Sequence, residues 1–339
     1  MIAENHATRT GESSEVRCRF CQSSEIAHIG NAEFVRGFNW PIWDCRACGC
    51  RFTRHDQNVY DQLHSESGSC YTRYREIAAA IKPLFDRRDR DGLRGQLSQV
   101  SKYEFIIKKL SGLSANARLL EIGCARGFLT SYFILCGHDI LGIDVSQDAV
   151  ASANEVFGNH FALAGSAEIE ARAPYDAIYH VGTIGCVGDP VGMTEQLLGL
   201  LKPGGTLLFN SPNRDACNQG DQLWFESAPP PDVVTLFAPG FWRRRFSKVA
   251  DVSEEVELLD SDQSFAIGFR KLLHVRWRHP EPLPLTQTAE ASAAPARARH
   301  KTGNFFERAI RKVARASRVS YLAPRQPSEF GLFVTMKRK

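Results

Sequence analysis

Four of the ten cysteines stand as two pairs, Cys18-Arg-Phe-Cys21 and Cys45-Arg-Ala-Cys48-Gly49, with 23 residues between them. A CxxC turn presents two thiolates to one ion, and two such turns complete a tetrahedral shell with metal–sulfur bonds of about 2.3 Å. The spacing predicts a zinc site on Cys18, Cys21, Cys45 and Cys48. Four thiolates leave no open position for water, so the expected role is structural. Gly49 suits the tight turn after the second pair, and Cys50 is a spare thiol beside it.

A second constellation is Leu119-Leu120-Glu121-Ile122-Gly123-Cys124-Ala125-Arg126-Gly127-Phe128, followed by Ile143-Asp144. Small residues where a strand turns into a helix let a ligand approach the backbone and the helix N-terminus. A carboxylate ending the next strand can accept both hydroxyls of a ribose. A dinucleotide cradle would read GxGxxG, but Ala125 and Phe128 occupy its second and third glycine positions. Glu121, two residues before Gly123, instead suits a ligand bearing an ammonium group.

These residues need a scaffold, and the flanking pattern supplies one. Short apolar runs at 117–122, 139–144, 160–164, 175–181 and 205–210 read as strands. Helical stretches at 127–136, 147–157 and 190–201 fall between them. Such alternation implies βαβ units and a parallel sheet covered on both faces. A helix at 239–250 and strands at 254–260 and 329–337 complete the pattern, and 72–111 reads as helix before it. The expected fold class is α/β: a doubly wound, Rossmann-like sheet with a small amino-terminal zinc-ribbon-like module and a carboxy-terminal basic insertion.

The chain has 339 residues, 43% of them hydrophobic and 24% charged, which is ordinary globular usage and excludes wholesale disorder. No apolar run approaches the roughly 20 residues of a membrane span, and MIAENHATRT lacks the design of a signal peptide. The expectation is a cytoplasmic protein, in which ten cysteines are not a disulfide framework. Residues 261–328 hold 13 Lys+Arg against 4 Asp+Glu, a net of +9 against a total of +4.

Taken together, the ExGxxxG turn and the strand-ending Asp144 resemble a class I S-adenosylmethionine (SAM)-dependent methyltransferase. The resemblance extends to Leu200-Leu201-Lys202-Pro203-Gly204-Gly205-Thr206, similar to the family's turn before strand five, and to Ser211-Pro212-Asn213 after it. The amino-terminal cysteine pairs, followed by Val59-Tyr60-Asp61-Gln62-Leu63-His64, resemble a bacterial subgroup with a fused zinc-binding module, whose members act on sugars, glycans, polyketides and related small molecules. The resemblance implies SAM as cofactor. Glu121, Gly123, Cys124, Ala125 and Gly127 would line its methionine portion, with Asp144 and Val145 at the ribose. Ser166 and Ala167 would contact adenine, and His180 would border the sulfonium and the acceptor. The implied organisation is a flexible 1–15, a zinc module at 16–56, a linker and helical lid at 57–111, and a SAM-binding core at 112–260. A basic, partly flexible insertion at 261–328 and a final core strand and tail at 329–339 follow.

The chain departs from that family at two places. Relatives carry a Glu-His pair before the Asp-Pro that matches Asp189-Pro190, and here those positions are Gly185-Cys186. An acceptor alcohol still needs a base, and the candidates are His180, Tyr179, His64 and Tyr71. In Ala228-Pro229-Pro230-Pro231-Asp232-Val233-Val234, valine stands where the family's substrate loop has His, while Trp224, Phe225 and Phe237 are candidates to wall an acceptor pocket. No Asn-Pro-Pro-Tyr-type motif follows strand four, which weighs against amide or base amino groups.

The resulting expectation is methyl transfer to a small-molecule or glycan acceptor at oxygen. The alternatives are sugar C-methylation, RNA methylation and non-catalytic SAM binding. Residues 303–322 read as a basic amphipathic helix, suited to an anionic membrane surface and so to a peripheral place at the inner membrane. The few arginines of the zinc module argue against a nucleic-acid partner.

Overall fold

The computed structural model describes residues 17–64, 75–217, 223–225, 228–261, 264–265, 282, 285 and 325–339. The basic segment 303–322, nearly all of the insertion and Tyr71 lie outside them. Among the described residues no helix is long and apolar enough to cross a membrane.

Two sheets organise the described residues. The smaller begins with β1 (Ile26–Val35), β2 (Phe38–Cys45) and β3 (Arg51–Thr53), which pair antiparallel in that order. Its interleaved aromatics and cysteines carry no clean alternation, so these strands are not legible as such in the sequence. Helices α1 (Gln57–His64), α2 (Arg75–Asp86), α3 (Arg90–Leu97) and α4 (Ser101–Leu110) follow. The stretch 72–111 is thus broken rather than continuous. Arg88 adopts a left-handed φ of 54°, and the Asp89 carboxylate then accepts the Gly92 amide to start α3 anew.

The larger sheet has seven strands: β4 (Arg118–Ile122), β5 (Asp139–Asp144), β6 (Phe161–Leu163), β7 (Tyr175–His180), β8 (Leu201–Ser211), and, closing it, β10 (Ala250–Leu258) and β11 (Pro327–Arg338). Their order is β10-β11-β8-β7-β4-β5-β6, with β6, β5, β4, β7 and β8 parallel and β11 antiparallel to both neighbours. The chain steps outward from β4 on one side and then from β7 on the other. The carboxyl ends of β4 and β7 therefore form the switch point where ligands settle in such sheets.

The crossovers are α5 (Phe128–Leu135), α6 (Gln147–Phe157), the short α7 (Glu168–Ala171) and α8 (Pro190–Leu200). Ser146 caps α6 through the Ala149 amide, and Asp189 caps α8 through Gly192, with Pro190 at the first helical position. Strand side chains alternate between two cores. Leu119, Ala177, Tyr179 and Leu208 face α3–α6, while Leu120, Ile122, Ile178 and Phe209 face α8 and α9 (Phe241–Phe246).

The small sheet is not self-contained. Its fourth strand, β9 (Thr235–Leu236), comes from the segment between β8 and α9. Phe20 and Phe52 join Phe237, Phe241 and Trp242 in the same apolar cluster as the cysteines, so the cysteine-bearing segment is packed into the core of the larger unit. Phe237 is a core side chain in this cluster rather than the wall of an acceptor pocket. Trp224 and Phe225 are buried with Trp40 and Ile42 in a third cluster beneath the small sheet.

Candidate functional site

At the carboxyl end of β4 the backbone makes three left-handed turns in five residues: Gly123 (φ 70°), Ala125 (φ 49°) and Gly127 (φ 77°). The glycines are required sterically as well. A Cβ on Gly123 would collide with the Thr183 hydroxyl, and one on Gly127 would stand 2.5 Å from the Phe161 ring. The amides of Gly123 and Cys124 both donate to the Ile143 carbonyl, at 2.8 and 3.0 Å, which draws the turn over the end of β5.

Asp144 fixes the turn from the other side. One carboxylate oxygen accepts the Ala125 amide at 2.8 Å and the other accepts the Ser146 amide at 2.9 Å. Each oxygen keeps a lone pair for a further donor. Beyond it, the apolar side chains of Val145 and Leu163 are 67% and 40% exposed, at the ends of neighbouring strands where Asp144 pairs with Leu163. Exposed apolar side chains flanking a carboxylate suit a flat, partly apolar ligand. The Ser166 hydroxyl accepts the Glu168 amide at 3.2 Å, and Ala167 is exposed at the start of the short α7.

Glu121 points inward from β4. Its Oε2 accepts the Thr130 hydroxyl and, at 3.2 Å, the Tyr179 hydroxyl, and among the described residues it has no ion-pair partner. Burial raises its pKa to about 7, against the pull of those hydroxyls. The Tyr179 hydroxyl is held well above its usual range by burial and then by the Glu121 charge. Tyr179 therefore serves Glu121 and holds its own proton.

His180, the next residue, projects to the opposite face of the sheet. Its ring stacks on Phe209 with centroids 4.6 Å apart and is fully enclosed, and among the described residues neither ring nitrogen has a hydrogen-bond partner. Burial lowers its pKa to about 3, which keeps it neutral. Of the other base candidates, His64 ends α1 and its side chain lies outside the described set, as does Tyr71. The structure thus brings Glu121, Gly123, Cys124, Ala125, Gly127, Asp144 and Val145 together around one turn. It sets Tyr179 beneath them and His180 behind.

The four predicted metal ligands also converge. Their sulfurs all lie within 4.8 Å of one another, with Cys18 3.7 Å from Cys48 and Cys21 3.5 Å from Cys45. A tetrahedral zinc with bonds of about 2.3 Å needs sulfurs about 3.8 Å apart, so the donor set fits that ion. Burial raises the Cys21 thiol to about 11, and the contact with Cys48, followed by burial, raises Cys18. Four such thiols close together are poorly satisfied without a cation.

Several site neighbours carry no signal in the sequence. Thr130 reaches Glu121 from the first turn of α5, Leu163 flanks Asp144, and His55 comes from the loop after β3 to the segment following β7. A single His between a strand and a helix has no spacing that marks it. Only the pairing of β3 with β9 brings it there.

Comparison with known proteins bears on this site. Over 107 residues the chain is 30% identical to the ubiquinone biosynthesis O-methyltransferase of Methylococcus capsulatus, covering 30% of this chain and 45% of that one. It is 24% identical over 167 residues to the enzyme of the same name from Alkalilimnicola ehrlichii, covering 47% and 62%. The matched stretches span about half the length of these curated relatives. Among solved structures, the YcgJ protein of Bacillus subtilis shares 16% identity with a TM-score of 0.41, over 70% of this chain and 97% of that one. The family described as "Methyltransferase domain" matches residues 71–251, which contain the Gly123–Gly127 turn and Asp144. That match covers more than half of the 339 residues, and the chain belongs to the methyltransferase-domain family.

Proposed function

We propose that this protein is a SAM-dependent methyltransferase whose acceptor is a hydroxyl group of a small molecule. The observation that carries the reading is the turn from Gly123 to Gly127, held in left-handed geometry and fastened at Ala125 by the Asp144 carboxylate. SAM, when bound, supplies a methyl group on a sulfonium whose leaving group is a neutral thioether. The chain's work is then positioning. Asp144 keeps lone pairs for the ribose hydroxyls, and Val145 and Leu163 flank the adenine, with Ser166 and Ala167 at its edge. Glu121 answers the cationic end of the ligand, whose charge would draw its proton off. His180 lies behind the turn, at the end of β7.

The relatives named ubiquinone biosynthesis O-methyltransferases support oxygen as the acceptor atom and favour a small molecule over a glycan. Cys18, Cys21, Cys45 and Cys48 hold a structural zinc in this reading, with no position left for substrate. Calorimetric titration with SAM and with its demethylated product tests the cofactor. Binding of both in the micromolar range is expected, and no binding of either by folded protein overturns the reading.

A further inference from the structure

Helices α2 and α5 pack against each other, and each is stopped by a left-handed residue two positions past its end. These are Arg88 (φ 54°) after α2 and Gly137 (φ 81°) after α5. The two turns close alike. The Arg88 and Asp89 amides each donate at 2.9 Å, to the Phe85 and Leu84 carbonyls. The Gly137 and His138 amides donate to the Ile134 and Phe133 carbonyls at 3.0 and 3.1 Å. Glycine takes this position without strain, as it does after α5, whereas arginine takes it at a conformational cost.

A cavity of about 370 Å³ opens between these two ends, lined by Phe85, Asp86, Arg88, Ile134, Leu135 and Gly137. Its apolar wall is preformed. The half-buried Phe85 ring is fixed edge-on against Phe157, with centroids 4.8 Å apart, and Ile134 and Leu135 are half-buried beside it. At about 30 Å³ per non-hydrogen atom, the share of one water in the liquid, the space holds about a dozen atoms. That is the low end of small-ligand sites.

Charge decides what the ligand carries. The Asp86 carboxylate is held by the Lys82 ammonium at 2.6 Å, and Asp89 is engaged in capping α3 through the Gly92 amide. Asp91 lies 3.8 Å from Arg90. Arg88 is left with no carboxylate partner among the described residues, and so are Arg87 and Arg94 on the same connection. The carbonyls that end both helices are taken up by the capping amides. The unanswered charge at the cavity is therefore the Arg88 guanidinium, whose planar fork matches a carboxylate.

We infer that this cavity is a second ligand site, which takes a small carboxylic acid with an apolar body, its carboxylate on Arg88 and its chain against Phe85, Ile134 and Leu135. It lies at the opposite end of α5 from the Gly123–Gly127 turn. Eight residues of helix, about 12 Å, separate the two. The site therefore fills independently of the SAM site, and it does not depend on which acceptor is methylated.

The test titrates the full-length protein with decanoate, which has twelve non-hydrogen atoms, by ligand-observed NMR. Decan-1-ol and decylamine serve as neutral and cationic probes with the same chain. Decanoate is expected to bind with a Kd below about 1 mM, at least about fivefold tighter than decanol, with decylamine weakest. Saturating demethylated SAM should leave that Kd within about twofold. Arg88→Gly removes the charge and relieves the left-handed strain, so the variant should melt no lower than the parent. Its decanoate Kd should rise at least about fivefold, to the level of decanol, and Arg88→Lys should recover part of the loss. No decanoate binding by the parent, equal affinity in Arg88→Gly, or tighter binding of decylamine overturns the site. Competition with demethylated SAM also overturns it, because decanoate would then occupy the turn at β4.

Discussion

The Asp144 carboxylate accepts the backbone amide of Ala125, 19 residues earlier, at 2.8 Å, where Ala125 holds a left-handed φ of 49°. An alanine in that region is strained by about 1 kcal/mol relative to glycine. The carboxylate thus shapes the turn as well as facing the ligand. Asp144→Ala removes the acceptor of two amides and the proposed partner of the ribose. Affinity for SAM should fall by at least about tenfold, as loss of a charge-assisted contact does. Calorimetry on the variant checks this, and unchanged affinity removes Asp144 from the ligand's contacts.

Glu121 gives a prediction about stability that opposes function. Its folded pKa of about 7 lies above the ordinary 4.5, so the folded state binds the extra proton between those values. Its unfavourable contribution therefore appears as pH rises from 4.5 through 7, and amounts to about 3 kcal/mol at pH 8. Glu121→Gln keeps the shape and removes the titration. In thermal melts without ligand, the variant should gain stability over the parent at pH 8 and lose that advantage at pH 4.5. Its affinity for SAM should nonetheless fall, because the charge proposed to answer the ligand's cationic end is gone.

His180 titrates in the opposite sense. Burial places its folded pKa near 3, below the ordinary 6.5, so the unfolded chain takes up a proton that the folded one refuses. Stability is lost as pH falls below 6.5, by about 2 kcal/mol at pH 5. His180→Phe keeps a ring against Phe209 and removes the proton. The readout is the slope of melting temperature between pH 7 and pH 5, which should be shallower in the variant. An identical slope would mean that the imidazole reaches solvent.

How much of this was legible beforehand follows from periodicity and range. The strands β4, β5 and β7 and the crossover α6 are local apolar patterns ended by local caps such as Ser146, and they fall where the pattern puts them. The pairing of Asp144 with the Gly123 turn was readable because parallel strands bring their carboxyl ends together. Strands β1–β3 were not, since their aromatics are buried against other segments instead of alternating. The two-residue period of a strand puts Tyr179 and His180 on opposite faces of β7, and so in different chemical surroundings. His55 was invisible for a different reason. Its position depends on Thr53 meeting Val234, 181 residues away in sequence, and no spacing rule spans that distance.

The last prediction joins the metal to the chemistry. Arg19, between two of the cysteines, donates to the Val234 carbonyl at 3.0 Å and to the Thr235 hydroxyl, and the Thr235 amide reaches Gly185. Arg244 donates to the Cys48 carbonyl from α9 at 3.2 Å, which ties the second cysteine pair to the core. Cys45→Ser should remove the proposed zinc and lower the melting temperature, because metal binding and folding of such a site are linked. The loss should not stop at the small sheet. Strand β9 and the segment after β7 share the Gly185 carbonyl, so turnover should decline with zinc content under a strong chelator. SAM affinity, which the proposed site places at β4 and β5 on the far side of β7, should decline much less. Metal analysis alongside kcat and SAM affinity checks the separation. A parallel loss of both would mean that the cysteine cluster supports the whole fold and has no particular hold on the acceptor side.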